Sequence, residues 1–101
     1  MDSYGRMLWW VFLSSAGGPT RVRLVRALRA EPRNAQQLSL ELQLDYTTVR
    51  HHLSVLLRSR LLEVGGDGYG QVYFLAPNLE QRWAELEAIA ARRPARPAGA
   101  R

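Results

Sequence analysis

The sequence contains no cysteine and no lysine, and its only two histidines are adjacent. The absence of cysteine excludes disulfides and thiolate metal sites. One pair of histidines does not provide the three or four ligands that a histidine metal site requires. We therefore expect neither a metal nor any other cofactor in this protein.

Basic charge comes from arginine alone, and it is distributed unevenly. The chain has fourteen arginines and a formal net charge of +5. Residues 19–60 contain eight arginines and three acidic residues, so this segment holds the whole excess of +5. A local basic field attracts polyanions such as nucleic acids. Charge alone does not distinguish such a binding segment from a solvated basic face.

Length and composition favour one small folded domain. The chain has 101 residues, of which 47% are hydrophobic, enough for a single core of limited size. We expect one domain over residues 1–93, with an N-terminal helix to residue 18, a central region 19–76 and a C-terminal helix 77–93. Residues 94–101, which are rich in proline, alanine, glycine and arginine, are predicted to be a disordered tail.

No apolar run is long enough to cross a bilayer, since residues 7–13 form a run of only seven. Only Arg6 provides basic charge before this run, and Asp2 opposes the basic start of a signal peptide. A helix that is apolar on all sides needs protein around it. We therefore predict a buried helix over residues 3–14 and a cytoplasmic location. A membrane-surface anchor is the alternative use of this segment.

Hydrophobic periodicity and capping residues predict three further helices before residue 60. The second begins at Pro19 after two glycines and ends before Pro32. Asn34 is a good N-cap for a short third helix, and Asp45 for a fourth, because their side chains accept backbone N–H groups. The second helix is predicted to turn its aliphatic residues inward and four arginines largely outward: Arg21, Arg23, Arg26 and Arg29.

The hydrophobic period changes after residue 60. Residues 61–64 and 71–75 are predicted to be strands. Four glycines among residues 65–70 permit the tight turn of a hairpin. Asn78 is then predicted to cap a last helix, in which a coiled-coil-like spacing connects Leu79, Trp83, Leu86 and Ala90.

The predicted order, α-α-α-α-β-β-α, is a mostly α winged helix-turn-helix, in which a β-hairpin wing follows two helices joined by a tight turn. The second of these helices fits the major groove of double-stranded DNA, which is about 12 Å wide. Its outer face then reaches base edges, while amides of the preceding helix lie over phosphates. The predicted DNA contacts are Gln36, Gln37, Tyr46, Thr47, Thr48, Arg50, His51, Ser54, Arg58 and Tyr69.

A longer residue pattern covers about residues 19–75. It reads Leu38-x3-Leu42-x-Leu44-Asp45-x2-Thr48-Val49-x-His51-His52-Leu53-x2-Leu56, then Leu61-Leu62, then the glycine-rich hairpin. This pattern resembles the ArsR-type (arsenic-repressor-type) winged-helix transcription regulators. The resemblance implies that the fourth helix reads DNA and that the protein is a homodimer joined by its first and last helices. It also implies an inward His52, which we expect to bond to backbone.

The sequence departs from the family pattern at several positions. Gln43 stands in the turn and Arg60 follows the fourth helix, where the family often has glycine. The helix before the turn has no cysteine and the last helix has no histidine, so the family's metal sites are not expected. The hairpin residues 65–70 include no arginine or lysine, and Asp67 would repel phosphate. We expect the wing to contribute little to DNA affinity.

Aromatic and aliphatic residues of the first and last helices are predicted to form the homodimer interface. A flat aromatic cluster of this kind also suits a small apolar effector, although the sequence identifies none. The predicted interface residues are Leu8, Trp9, Trp10, Phe12, Leu79, Trp83, Leu86, Ile89 and Ala90.

These features together predict a sequence-specific DNA-binding transcription regulator that acts as a homodimeric repressor by blocking promoter access. No set of residues combines a nucleophile with a base and an orienting group, so we expect no enzyme activity. The alternative is a winged-helix module for protein interactions within a larger complex. The lack of basic residues in the hairpin is compatible with that alternative.

Overall fold

A computed structural model describes residues 1–67 and 70–93. Those residues form α-helices and a two-stranded sheet, which confirms the predicted mostly α architecture with a hairpin wing. The predicted DNA contact Tyr69 and the predicted disordered tail lie outside the described residues. The elements are α1 (Ser3–Trp9), a π-helix (Trp10–Ser14), α2 (Gly18–Ala30), α3 (Ala35–Leu42), α4 (Tyr46–Arg58), β1 (Leu62–Gly65), β2 (Val72–Leu75), α5 (Pro77–Gln81) and α6 (Trp83–Ala90).

The apolar segment 7–13 lies in a helix, as predicted, but the second half of this helix is a π-helix. The Ser15 N–H donates to the carbonyl oxygen of Trp10, five residues earlier, at 3.1 Å. Val11 and Phe12 are fully buried in the core, whereas Trp10 is 55% exposed. The segment therefore packs as a core helix with one exposed aromatic residue. None of the described helices is long and apolar enough to cross a membrane.

Both predicted N-caps of the helix-turn-helix are present. The Asn34 side chain accepts the Gln37 N–H at 2.8 Å, and the Gln37 side chain accepts the Asn34 N–H at 2.8 Å, which completes a capping box. Asp45 Oδ2 accepts the backbone N–H groups of Thr47 at 3.0 Å and Thr48 at 3.2 Å. These caps fix where α3 and α4 begin.

Two side-chain-bearing residues adopt the left-handed backbone conformation. Among the described residues, Gln43 (φ 57°) and Arg60 (φ 60°) are the only non-glycine residues with positive φ. These are the two positions at which the ArsR-type family often has glycine and this sequence does not. Gln43 ends α3, and its N–H donates to the Ser39 carbonyl oxygen. The tight turn and the exit from α4 therefore form without glycine, at a cost in backbone strain.

The hairpin is anchored to the helical part of the domain. β1 and β2 pair antiparallel, with Leu62 opposite Leu75 and Gly65 opposite Val72. Tyr73 also exchanges two backbone hydrogen bonds with Arg33, at 2.8 and 3.3 Å. This bridge holds the second strand against the segment that leads into α3.

The C-terminal helix differs from the prediction in two respects. It is interrupted at Arg82 (φ −111°, ψ 26°), which separates α5 from α6. Asn78 is not its N-cap, because Pro77 already lies in the first turn after Ala76. The Asn78 side chain instead accepts the Tyr4 hydroxyl at 2.6 Å and donates to the Arg60 carbonyl oxygen at 3.0 Å. It thereby ties the N-terminal helix to the end of α4.

Candidate DNA-binding surface

Helix α4 has one buried and one exposed face, as its sequence pattern predicts. Val49, His52, Leu53, Val55 and Leu56 are buried in the core. The opposite face is exposed and polar, and it contains seven of the predicted DNA contacts: Tyr46, Thr47, Thr48, Arg50, His51, Ser54 and Arg58.

Arg50 is held over the first turn of α4 by Tyr46. Its Nη1 donates to the Tyr46 hydroxyl at 3.1 Å, and its guanidinium carbon lies 5.9 Å from the centre of the Tyr46 ring. The hydrogen bond that Arg50 donates to Tyr46 raises the pKa of Arg50, and negative charge on Tyr73 and Tyr46 would raise it further. Arg50 is a permanent cation, and the exposed hydrogen bond to Tyr46 orients it.

Gln36 lies in the same shallow cleft as Tyr46 and Arg50. The cleft has a volume of about 250 Å³ and is also lined by Gln71, just before β2, and by Tyr73 within it. The sequence interpretation missed these two, because the hairpin was assigned no role apart from its tip. Gln37 is exposed as well, but its side-chain oxygen is already engaged by the capping box.

Part of the basic excess of residues 19–60 is neutralised within the fold, because Glu80 and Glu87 from outside this segment pair with two of its arginines. Three of its arginines form ion pairs, since Arg26 meets Glu87 at 2.6 Å, Arg29 meets Glu80 at 3.4 Å and Arg33 meets Glu41 at 3.0 Å. Across residues 1–67 and 70–93, Arg50 and Arg58 are found in no ion pair. Arg23 on α2 and Arg60 after α4 are likewise exposed and in none of these ion pairs. The positive charge available to DNA therefore includes both arginines of α4 but is smaller than the sequence count suggests.

The prediction that Arg21 points outward is wrong. Arg21 is 4% exposed. Its Nε donates to the Val11 carbonyl oxygen at 2.9 Å, and its Nη2 donates to the Ser15 hydroxyl. The sequence contained a usable indication of this burial. Arg21 precedes Leu24 by three residues and Leu28 by seven, and therefore lies on the apolar stripe of α2.

His52 is a buried histidine, as predicted, but its partner is not the backbone. Its Nδ1 lies 3.1 Å from Arg21 Nη1. Burial lowers the pKa of His52, and the charges of Arg21 and His51 lower it further. An arginine has no acceptor atom, so Nδ1 must accept and the ring must be neutral with its proton on Nε2. His51, next to it, is exposed.

The predicted dimer residues fall into two groups. Six of the nine are buried within the single chain: Leu8, Phe12, Leu79, Trp83, Leu86 and Ile89. Trp9 and Ala90 are partly exposed and Trp10 is largely exposed. Only these three of the predicted set offer substantial surface to a second copy.

A helix-turn-helix followed by a β-hairpin defines a winged helix-turn-helix domain. Residues 18–64 match the family model described as "Bacterial regulatory protein, arsR family". The resemblance to the ArsR-type regulators is therefore confirmed over this part of the chain. The matched segment includes the turn, all of α4 and most of the first strand.

Solved structures with the same fold extend the likeness beyond the matched segment. The crystal structure of M. tuberculosis Rv0081 superposes with a TM-score of 0.66 at 21% identity, covering 91% of this chain and 93% of that one. AbfR of Staphylococcus epidermidis gives a TM-score of 0.63 at 19% identity, covering 95% of this chain and 65% of that one. At such identities the comparison shows the fold alone. No curated protein matches the sequence.

Proposed function

We propose that this protein is a transcription regulator that binds specific sequences of double-stranded DNA with α4 as its recognition helix. The observation that carries the proposal is the division of α4 into a buried apolar face and an exposed polar face. A buried face fixes the orientation of the helix, and an exposed polar face is needed to read base edges. The family match of residues 18–64 supports the same role.

The side chains of α4 suit direct readout in the major groove. Arg50 offers two parallel N–H donors to guanine O6 and N7, and Thr47 offers a methyl group to thymine or a hydroxyl to phosphate. Gln36, in the cleft beside them, is suited to a backbone phosphate. Because the partner of Arg50 is an exposed tyrosine hydroxyl, Arg50 exchanges that partner for a base at little cost.

We further propose that the protein acts in the cytoplasm as a homodimeric repressor. Trp9, Trp10 and Ala90 provide exposed apolar surface on the helices that the resemblance assigns to dimerisation. Two recognition helices in a dimer would enter successive major grooves about one helical turn apart on a near-palindromic site. A dimer bound there would repress by blocking access to a promoter.

A binding titration with fluorescent mixed-sequence duplex DNA tests the proposal. We expect binding at about 50 mM salt and much weaker binding at about 200 mM, because phosphate contacts release counterions. The double variant Arg50→Ala, Arg58→Ala should bind this DNA more weakly than the wild type. Arg6→Ala, which removes an exposed positive charge from α1, serves as the matched control. Selection from a random duplex pool then yields the preferred site.

Absence of binding at about 50 mM salt would contradict the DNA-binding proposal, since non-specific contacts are strongest there. That result would favour the alternative, a winged-helix module for protein interactions. Binding without any sequence enriched in the selection would keep the DNA role and overturn its specificity.

A further inference from the structure

Arg21 is a buried cation at the junction of three helices. It belongs to α2, its Nε and Nη2 contact the end of the N-terminal helix, and its Nη1 contacts His52 of α4. Within residues 1–67 and 70–93, no carboxylate lies within ion-pair distance of its guanidinium. A buried charge without a carboxylate requires another source of stabilisation.

The end of the π-helix provides that stabilisation. The Ser15 N–H that caps this helix bonds to the Trp10 carbonyl. The next carbonyl, that of Val11, therefore belongs to the last turn, where carbonyl groups lack helical partners and carry partial negative charge. Arg21 Nε caps this carbonyl, and its guanidinium carbon lies 5.8 Å from the centre of the Trp10 ring. The surroundings are tightly filled, because a Cβ on Gly17 would approach both Arg21 Nη1 and His52 Cε1 to 2.6 Å.

His52 completes this cluster only in its neutral form. The charged or titratable groups that face it are Arg21 from α2 and His51 on its own helix, with ring centres 5.1 Å apart. The N-terminal helix contributes the Val11 carbonyl and the Ser15 hydroxyl, which are uncharged. A proton on Nδ1 would turn the acceptor of Arg21 into a donor and place two cations 3.1 Å apart.

We propose that Arg21 is a positioning residue for DNA binding, which locks the recognition helix to the N-terminal helix through neutral His52 and releases it when His52 takes a proton. The proposal rests on the DNA-binding function proposed above. Arg21 itself is too buried to contact DNA, so it acts through the orientation of α4. DNA binding is therefore expected to weaken in acid.

The dependence of DNA binding on His52 protonation is tested by titrating binding against pH. The protein carries His51→Asn, and the DNA is the duplex selected from the random pool. Because the pKa of His52 is already lowered in the folded protein, affinity should fall only as the pH decreases below about 6.5, by at most about tenfold for each unit by which the His52 pKa differs between free and bound protein. Adding His52→Asn, which keeps an acceptor but does not titrate, should abolish this fall. At about pH 7.5, Arg21→Met should bind about tenfold more weakly than Arg6→Met, and Arg21→Lys should recover part of the loss.

Equal affinity of Arg21→Met and Arg6→Met, or a pH dependence that His52→Asn leaves intact, would overturn the proposal. NMR of the His52 ring nitrogens in the wild-type protein provides a test that needs neither a variant nor DNA. A proton found on Nδ1 at neutral pH would also overturn it. If the wild type fails to bind DNA at about pH 7.5 while the ring is neutral as described, the DNA-binding function fails and the Arg21–His52 bond stands.

Discussion

At the residue scale, Arg50 is the side chain best placed to distinguish one DNA sequence from another. It is exposed, permanently charged and oriented by the Tyr46 hydroxyl at 3.1 Å. We expect Arg50→Ala to reduce discrimination between the selected site and its guanine variants by about 1–3 kcal/mol. Titrations across single-base variants of the site measure this difference. An equal loss on every duplex would make Arg50 a phosphate contact instead.

His52 makes folding stability depend on pH. Its pKa is lowered in the folded protein, chiefly by burial, so the unfolded chain binds the proton more readily. Stability is then greatest above the unfolded pKa of about 6.5 and falls as the pH decreases from there toward the lowered folded pKa. Denaturant titrations at several pH values measure the trend. His51→Asn should retain it and His52→Asn should lose it, whereas the reverse pattern would assign it to His51.

The identity of the residues that face inward on α4 follows from the sequence, but the partner of His52 does not. Helical spacing places His52 beside Leu53 and Leu56, and it is buried there. Its partner comes from α2, 31 residues earlier, and depends on where the π-helix ends. Periodicity within one helix contains no information on such a contact between helices.

At the scale of the elements, the turn before α4 and the exit after it are both strained. A side chain in the left-handed conformation costs roughly 1–2 kcal/mol, whereas glycine loses roughly 0.5–1 kcal/mol of stability through its greater freedom when unfolded. We therefore expect Gln43→Gly and Arg60→Gly each to raise the free energy of unfolding by about 0.5–1 kcal/mol. Thermal and denaturant unfolding measure the gain.

The matched control is Ala88→Gly, an exposed position with ordinary helical geometry inside α6. It should lower the free energy of unfolding by about 1 kcal/mol. If all three glycine variants lose stability alike, then Gln43 and Arg60 are not strained in the protein.

The sequence predicted element order and N-caps well, because each is determined by neighbours within a few residues. Asn34 and Asp45 cap the helices that they were expected to cap. Asn78 has the same chemistry but was misassigned, since Pro77 already begins the helix and Asn78 bonds to Tyr4 and Arg60. The break at Arg82 was missed because the hydrophobic spacing from Leu79 to Ala90 continues across it.

At the scale of the whole molecule, the net charge of residues 19–60 overestimates the positive charge that the folded protein can present to DNA. The partners of Arg26 and Arg29 are acidic residues more than 50 positions away, in α5 and α6. Local charge counting cannot anticipate such pairs, because they depend on how the C-terminal helices pack against α2. Fewer arginines are available to DNA than the eight counted in residues 19–60. We therefore expect the affinity for non-specific DNA to be modest and strongly dependent on salt.

The apolar surface around Trp10 leads to the last prediction, which concerns assembly. Trp10 is 55% exposed, whereas Val11 and Phe12 next to it are fully buried. Exposed tryptophans are frequent anchors of interfaces. If this surface holds two copies together, Trp10→Ser should weaken the dimer by about 2 kcal/mol or more, which raises its dissociation constant about thirtyfold. Sedimentation over a range of protein concentrations measures this constant.

Leu40→Ser, which alters a 70% exposed residue on α3, should leave the dimer unchanged. A wild-type chain that remains monomeric at all concentrations would contradict the dimer and predict that each copy binds a single half-site, with no preference for a palindrome.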